Sequence, residues 1–75
     1  MGRDRILRVI KNTFQLKELP EEVSQETIEK WDSLGHLQLC MSLEKEFDIK
    51  FLMTDMPKLT TLEKIQTCLS EMMSS

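Results

Sequence analysis

Ser33 and His36 are the residues of this 75-residue chain best suited to chemistry, and one helical turn separates them. A serine and a histidine at this spacing could act as nucleophile and base. No third residue orients the histidine, however, and no Gly-x-Ser-x-Gly turn surrounds the serine, which disfavours a hydrolase. Ser33 instead predicts a helix N-cap, where an attached anion would lie at the positive end of the helix dipole. We expect His36 to be a hydrogen-bonded residue at the mouth of a helical bundle.

The two cysteines, Cys40 and Cys68, have no metal-ligand spacing and no further cysteine or histidine cluster beside them. Both fall in segments with helical apolar periodicity. We therefore predict two reduced, unbridged and buried thiols that behave as small hydrophobic residues. Reduced thiols fit a cytoplasmic protein.

Composition predicts one small all-helical domain that covers residues 1–75. Hydrophobic residues make up 40% of the chain, aromatic residues are few, and the net charge is −3. That charge is uneven, because residues 1–17 hold five bases and one acid whereas residues 18–48 hold nine acids and two bases. An acidic chain is a poor nucleic-acid binder, and no segment is long and apolar enough to span a membrane. We expect a monomer with neither of these partners.

Apolar periodicity and capping signals define three helices and a short one. A long first loop is expected to be held over the core by apolar residues, with a single helical turn near Ser24. Pro57 fits the first turn of the short helix. The predicted elements are a helix over 4–16 capped by Asp4, a loop over 17–31 pinned by Leu19, Val23 and Ile28, a helix over 33–47, a short helix that begins at Thr54 or Asp55, and a helix over 61–73 opened by a Thr60–Glu63 capping box.

The apolar residues of the second helix fall on two stripes. The first stripe is wide enough to face a core; it comprises Leu39, Cys40, Leu43 and Phe47. The second comprises Leu34, Leu37 and Met41. Either both stripes are buried between neighbouring elements, or the second stays exposed as a docking face, for which methionine is suited because it repacks against different partners.

The segment Trp-Asp-Ser-Leu-Gly-His-Leu over 31–37, together with the segments 34–48 and 59–65, resembles the acyl carrier protein family over nearly the whole chain. The resemblance implies a three- to four-helix bundle with a long first loop and a short third helix. It implies that Ser33 carries a covalent 4′-phosphopantetheine arm, attached from coenzyme A by a phosphopantetheinyl transferase, whose thiol holds acyl groups as thioesters. Asp32 would assist recognition and metal-dependent transfer. Such a chain is a substrate of its partners and not an enzyme.

The second helix departs from that family's usual acidic pattern. Gly35, Gln38 and Lys45 stand at positions where fatty acid biosynthesis carriers usually have acids, which leaves Glu44 and Glu46. We therefore expect acyl-loading and acyl-transferring partners of a specialised pathway such as polyketide biosynthesis. The residues expected to contact them are Leu34, Leu37, Met41 and Glu44. Apolar contact is predicted to outweigh charge in this docking.

Two alternative functions and two roles for Trp31 remain open from the sequence. The chain could be an unmodified interaction module that docks through Leu37 and Met41, or an aminoacyl carrier of the D-alanyl type. Trp31, the single tryptophan, could pack back onto the second helix as a hydrophobic staple. Alternatively, its ring could flank the phosphopantetheine arm.

Overall fold

The computed structural model of this chain describes residues 2–73. It is a small all-helical bundle, as the sequence predicted. Its elements are α1 (Gly2–Thr13), α2 (Ser33–Phe47), a 3-10 turn (Met56–Lys58) and α3 (Leu62–Met73). Within residues 2–73, no helix combines the length and apolar character that crossing a bilayer requires.

Helix α1 begins and ends earlier than predicted. Asp4 lies in its first turn and is not its cap. The helix stops at Thr13 since Gln15 adopts a left-handed backbone, with φ of 52°. The Leu16 N–H then donates to the Lys11 carbonyl at 2.9 Å, which satisfies an otherwise free carbonyl of the last turn. The apolar pattern continues to Leu16, so periodicity alone predicted an end of the helix three residues too late.

The core is one cluster to which every helix contributes. Helix α1 packs against both α2 and α3. The exposed Arg5 strengthens this packing, because its guanidinium bonds Glu46 and lies 4.5 Å from the centroid of the Phe47 ring. The buried hydrophobic residues are Ile6, Val9, Ile10, Phe14, Val23, Ile28, Trp31, Leu39, Cys40, Leu43, Phe47, Phe51, Leu59, Leu62, Ile65 and Leu69.

The long first loop is pinned by side chains and by backbone bonds. Val23 and Ile28 are buried and Leu19 is half-buried, as predicted. The turn expected near Ser24 is a single one, in which the N–H groups of Thr27 and Ile28 both donate to the Ser24 carbonyl. The loop also forms an isolated backbone bridge between Ser24 and Thr61. This bridge fixes the loop to the start of α3.

The last two elements begin close to their predicted positions. Asp55 precedes the 3-10 turn and Pro57 lies inside it, where a missing N–H is tolerated. Thr61, and not Thr60, accepts a bond from the Lys64 N–H at 3.1 Å through its hydroxyl. Helix α3 therefore begins one residue later than the capping box predicted.

Candidate functional site

The start of α2 is capped by Asp32, which corrects the prediction that Ser33 is the N-cap. The Asp32 backbone is extended, and its Oδ1 accepts a bond from the Gly35 N–H at 2.8 Å. The Asp32 carbonyl accepts the first helical bond, from the His36 N–H at 2.7 Å. Ser33 is therefore the first residue of the helix.

Gly35 is buried because the preceding loop crosses directly over it. A Cβ added there would lie 2.2 Å from the Lys30 carbonyl oxygen and 2.9 Å from the Phe14 ring. Only glycine leaves room for this approach. Gly35 is thus not a surface position that lacks an acid, as the comparison with acidic carriers suggested. Its place in the first turn, where glycine is a poor helix former, was the signal available in the sequence.

Ser33 is exposed, and no protein group of residues 2–73 bonds its hydroxyl. Because Asp32 supplies the cap, the Ser33 oxygen is left for other chemistry. The backbone N–H groups of Ser33 and Leu34 lie in the first turn of α2. No preceding helical turn supplies carbonyl groups that could accept hydrogen bonds from them. A phosphodiester on Ser33 would lie beside these donors and at the positive end of the α2 dipole.

His36 does not act on Ser33, because both of its ring nitrogens bond other groups. Its Nδ1 accepts from the Trp31 indole N–H at 2.9 Å, and its Nε2 lies 2.6 Å from the Met56 carbonyl oxygen. The predicted hydrogen-bonded role of His36 is confirmed.

Trp31 is a core residue. Its side chain is 1% exposed, and its ring packs 5.8 Å from the Phe14 ring and 6.2 Å from the His36 ring, centroid to centroid. These contacts hold the end of the first loop against α2, as the staple hypothesis requires. A buried indole has little surface to offer an attached arm.

The second stripe of α2 is exposed. The exposed fractions of Leu34, Leu37 and Met41 are 66%, 50% and 58%, whereas the first stripe is buried. Met41 also lines a shallow depression of about 500 Å³ at the end of α2, together with Glu44 and Lys45. Exposed apolar side chains in a row on one helix are a typical protein-contact surface.

Both glutamates of α2 bond groups of their own chain. The Glu44 Oε2 accepts from the Phe51 N–H at 2.8 Å and so holds the connection that follows the helix. The Glu46 Oε2 pairs with Arg5 at 3.1 Å. Glu44, predicted as a partner contact, therefore has a structural role within the chain. The charge that α2 can offer a basic partner is small.

The two free cysteines differ in burial. Cys40 is buried in the core, whereas Cys68 is half-buried and lines a groove of about 540 Å³ between the 3-10 turn and α3. The prediction that both thiols are buried is therefore wrong for Cys68. Burial raises the pKa of both thiols; the charge of Glu44 adds to this for Cys40, and that of Asp55 for Cys68.

We expect Cys68 to react slowly with a maleimide in native buffer, and Cys40 on the order of a hundredfold more slowly than in denaturant. A raised thiol pKa lowers the reactive thiolate fraction at neutral pH, so the Cys68 rate should increase as the pH rises. Mass spectrometry of labelled wild type, Cys40→Ala and Cys68→Ala assigns each rate. Native labelling of Cys40 as fast as that of Cys68 would contradict the burial difference.

A scan against protein-family models gives no match for this chain, and a search of the curated proteins finds no match either.

Proposed function

We propose that this chain is an acyl carrier protein that bears a 4′-phosphopantetheine arm on Ser33. The observation that carries the proposal is the exposed Ser33 hydroxyl at the first position of α2, left unbonded because Asp32 caps the helix. When attached, the arm supplies a thiol that holds an acyl group as a thioester. The chain itself is a substrate of a phosphopantetheinyl transferase and of acyl-loading and acyl-transferring enzymes. It would act in the cytoplasm, where its thiols stay reduced.

The residues around Ser33 fit the attachment. The Ser33 oxygen would form the phosphodiester bond with the phosphorus that bears pantetheine, while the pyrophosphate bond of coenzyme A breaks. Adenosine 3′,5′-bisphosphate leaves, and the hydroxyl proton passes to the transferase. The free N–H groups of the first turn and the helix dipole favour the anion that results. Asp32 keeps one carboxylate oxygen beyond the one that bonds Gly35, and its side chain is exposed, so it can also contact the transferase and its metal ion.

Intact mass after incubation with coenzyme A, magnesium and a broad-specificity transferase tests this proposal. We expect wild type to gain one phosphopantetheine and Ser33→Ala to gain none. Ser42→Ala changes the other serine of α2 and should be modified as wild type is. Asp32→Asn keeps an oxygen for the cap but removes the charge, and should stay folded while reacting more slowly. An unmodified wild type, or a mass gain that survives Ser33→Ala, would contradict the assignment.

The exposed stripe favours a second candidate, an unmodified interaction module that docks through Leu37 and Met41. The same experiment separates the two, since such a module would gain no mass. The cargo we propose is an acyl group of a specialised pathway such as polyketide biosynthesis. A D-alanyl cargo would use the same arm, and the mass of the loaded chain from its native cell distinguishes the two cargoes.

A further inference from the structure

His36 joins two segments that are distant in sequence. Its Nδ1 is 2.9 Å from the Trp31 Nε1, and its Nε2 is 2.6 Å from the Met56 carbonyl oxygen. The indole N–H can only donate and the carbonyl can only accept. His36 must therefore be neutral, with its hydrogen on Nε2, for both bonds to exist together.

The bond to Met56 sets the position of an exposed turn. The N–H groups of Asp55 and Met56 both donate to the Leu52 carbonyl, which closes a turn over 52–56. Within residues 2–73, His36 is the one α2 residue that hydrogen-bonds the segment 52–58. Because His36 lies one helical turn after Ser33, this bond holds the Met56 end of the turn close to the start of α2.

The turn presents apolar side chains to solvent. Leu52 and Met53 are 67% and 85% exposed, although neither is needed for the core. The turn ends at Met56, which bonds His36 one helical turn after Ser33, so an enzyme bound at Ser33 can also contact this turn. The segment is held to α2 on both sides of the turn, by the Glu44 carboxylate at the Phe51 N–H and by His36 at the Met56 carbonyl.

We propose that His36 is a positioning residue for phosphopantetheine transfer, which holds the turn over 52–56 beside Ser33 as part of the surface that the transferase contacts. The inference rests on the proposed function. His36 touches no reacting atom; it acts through the Met56 carbonyl. Loss of this bond should weaken binding of the chain to the transferase and leave the chemical step unchanged.

Two substitutions test the two hydrogen bonds of His36 separately, because each keeps one bond and removes the other. His36→Gln places an amide nitrogen near the position of Nε2, so it keeps a donor for Met56 and loses the acceptor for Trp31. His36→Asn places an amide oxygen near the position of Nδ1, so it keeps the acceptor for Trp31 and does not reach Met56. His36→Ala removes both bonds, and Arg8→Ala is the control on the exposed side of α1, outside α2.

The measurements are kcat and KM for each variant as a substrate of a broad-specificity transferase with coenzyme A and magnesium. We expect His36→Ala and His36→Asn to raise KM about fivefold to tenfold, the effect of one lost hydrogen bond, with kcat nearly unchanged. His36→Gln and Arg8→Ala should keep KM close to wild type. Amide exchange at Asp55 and Met56 should be faster in His36→Asn than in His36→Gln.

A purely structural role gives a different pattern, because KM would then follow stability and not the Met56 bond. Equal KM values for His36→Asn and His36→Gln, or an unchanged KM for His36→Ala, would overturn the positioning role. If Trp31 emission shows His36→Ala to be unfolded, the Asn and Gln pair decides alone. A wild-type chain that accepts no phosphopantetheine would remove the proposed function first, and the positioning role with it.

Discussion

Gly35→Ala is expected to lower the free energy of unfolding by about 3 kcal/mol. In an exposed helix the same change would stabilise the protein by up to about 1 kcal/mol, because alanine is the better helix former. Here the new methyl group would meet the Lys30 carbonyl oxygen at 2.2 Å and the Phe14 ring at 2.9 Å. The backbone of the crossing loop has to move, and a backbone carbonyl yields less readily than a side chain.

The effect is large because a domain of this size has little stability to lose, on the order of 4–11 kcal/mol in total. Thermal unfolding followed by Trp31 fluorescence should show a Tm lower by about 12 to 24 °C. Gln38→Ala, an exposed change on the same helix, should alter stability by no more than about 0.5 kcal/mol. A Gly35→Ala variant as stable as wild type would show that the crossing loop does not need this close approach.

Leu37→Ala and Met41→Ala are each expected to lower kcat/KM for the transferase about tenfold, the effect of removing one well-packed side chain from an interface. Both side chains are exposed on one stripe of α2, so their truncation should spare the core. Raising the salt from about 0.05 M to about 0.5 M should change kcat/KM by less than about threefold, since few charges are available to be screened.

The charged residues of α2 provide the matched controls. Glu44→Gln keeps an oxygen for the Phe51 N–H and removes the charge, so any effect on transfer reports electrostatics and not loss of the fold. Lys45 is exposed and would repel a basic partner, so Lys45→Glu should not weaken transfer to such a partner. The apolar docking hypothesis fails if Glu44→Gln and high salt abolish transfer while Leu37→Ala and Met41→Ala leave it intact.

Apolar periodicity predicted where the helices lie. It did not identify the capping residues, because two neighbouring residues were equally suited and tertiary contacts determine which of them caps the helix. Helix α2 was predicted over 33–47 and spans Ser33–Phe47. Asp32 and Ser33 are both good N-cap residues, and no local rule ranks them in this context. Asp32 is the cap because its carboxylate reaches the Gly35 N–H. Thr60 and Thr61 present the same ambiguity, which the bridge between Ser24 and Thr61 resolves.

The sequence also predicted part of the candidate site. The motif singled out Ser33, and spacing predicted which residues form the second stripe, because helical geometry fixes which residues share a face. Spacing left open whether that stripe is buried or exposed. The close approach at Gly35 and the partner of His36 were not predicted, since each depends on a backbone carbonyl from another segment, at Lys30 and at Met56. Every residue has a backbone carbonyl group, so residue type does not show which carbonyl will make such a contact.

The bridge between the first loop and α3 also has a consequence for folding kinetics. The N–H of Gln25 donates to the Thr60 carbonyl, and that of Leu62 donates to the Val23 carbonyl. These bonds join two segments that are more than thirty residues apart in sequence, at the point where α3 begins. Closing so long a segment costs chain entropy before it gains contacts. We therefore expect the local helices α1 and α2 to form first, and the first turn of α3 to form later, together with the packing of the loop against it.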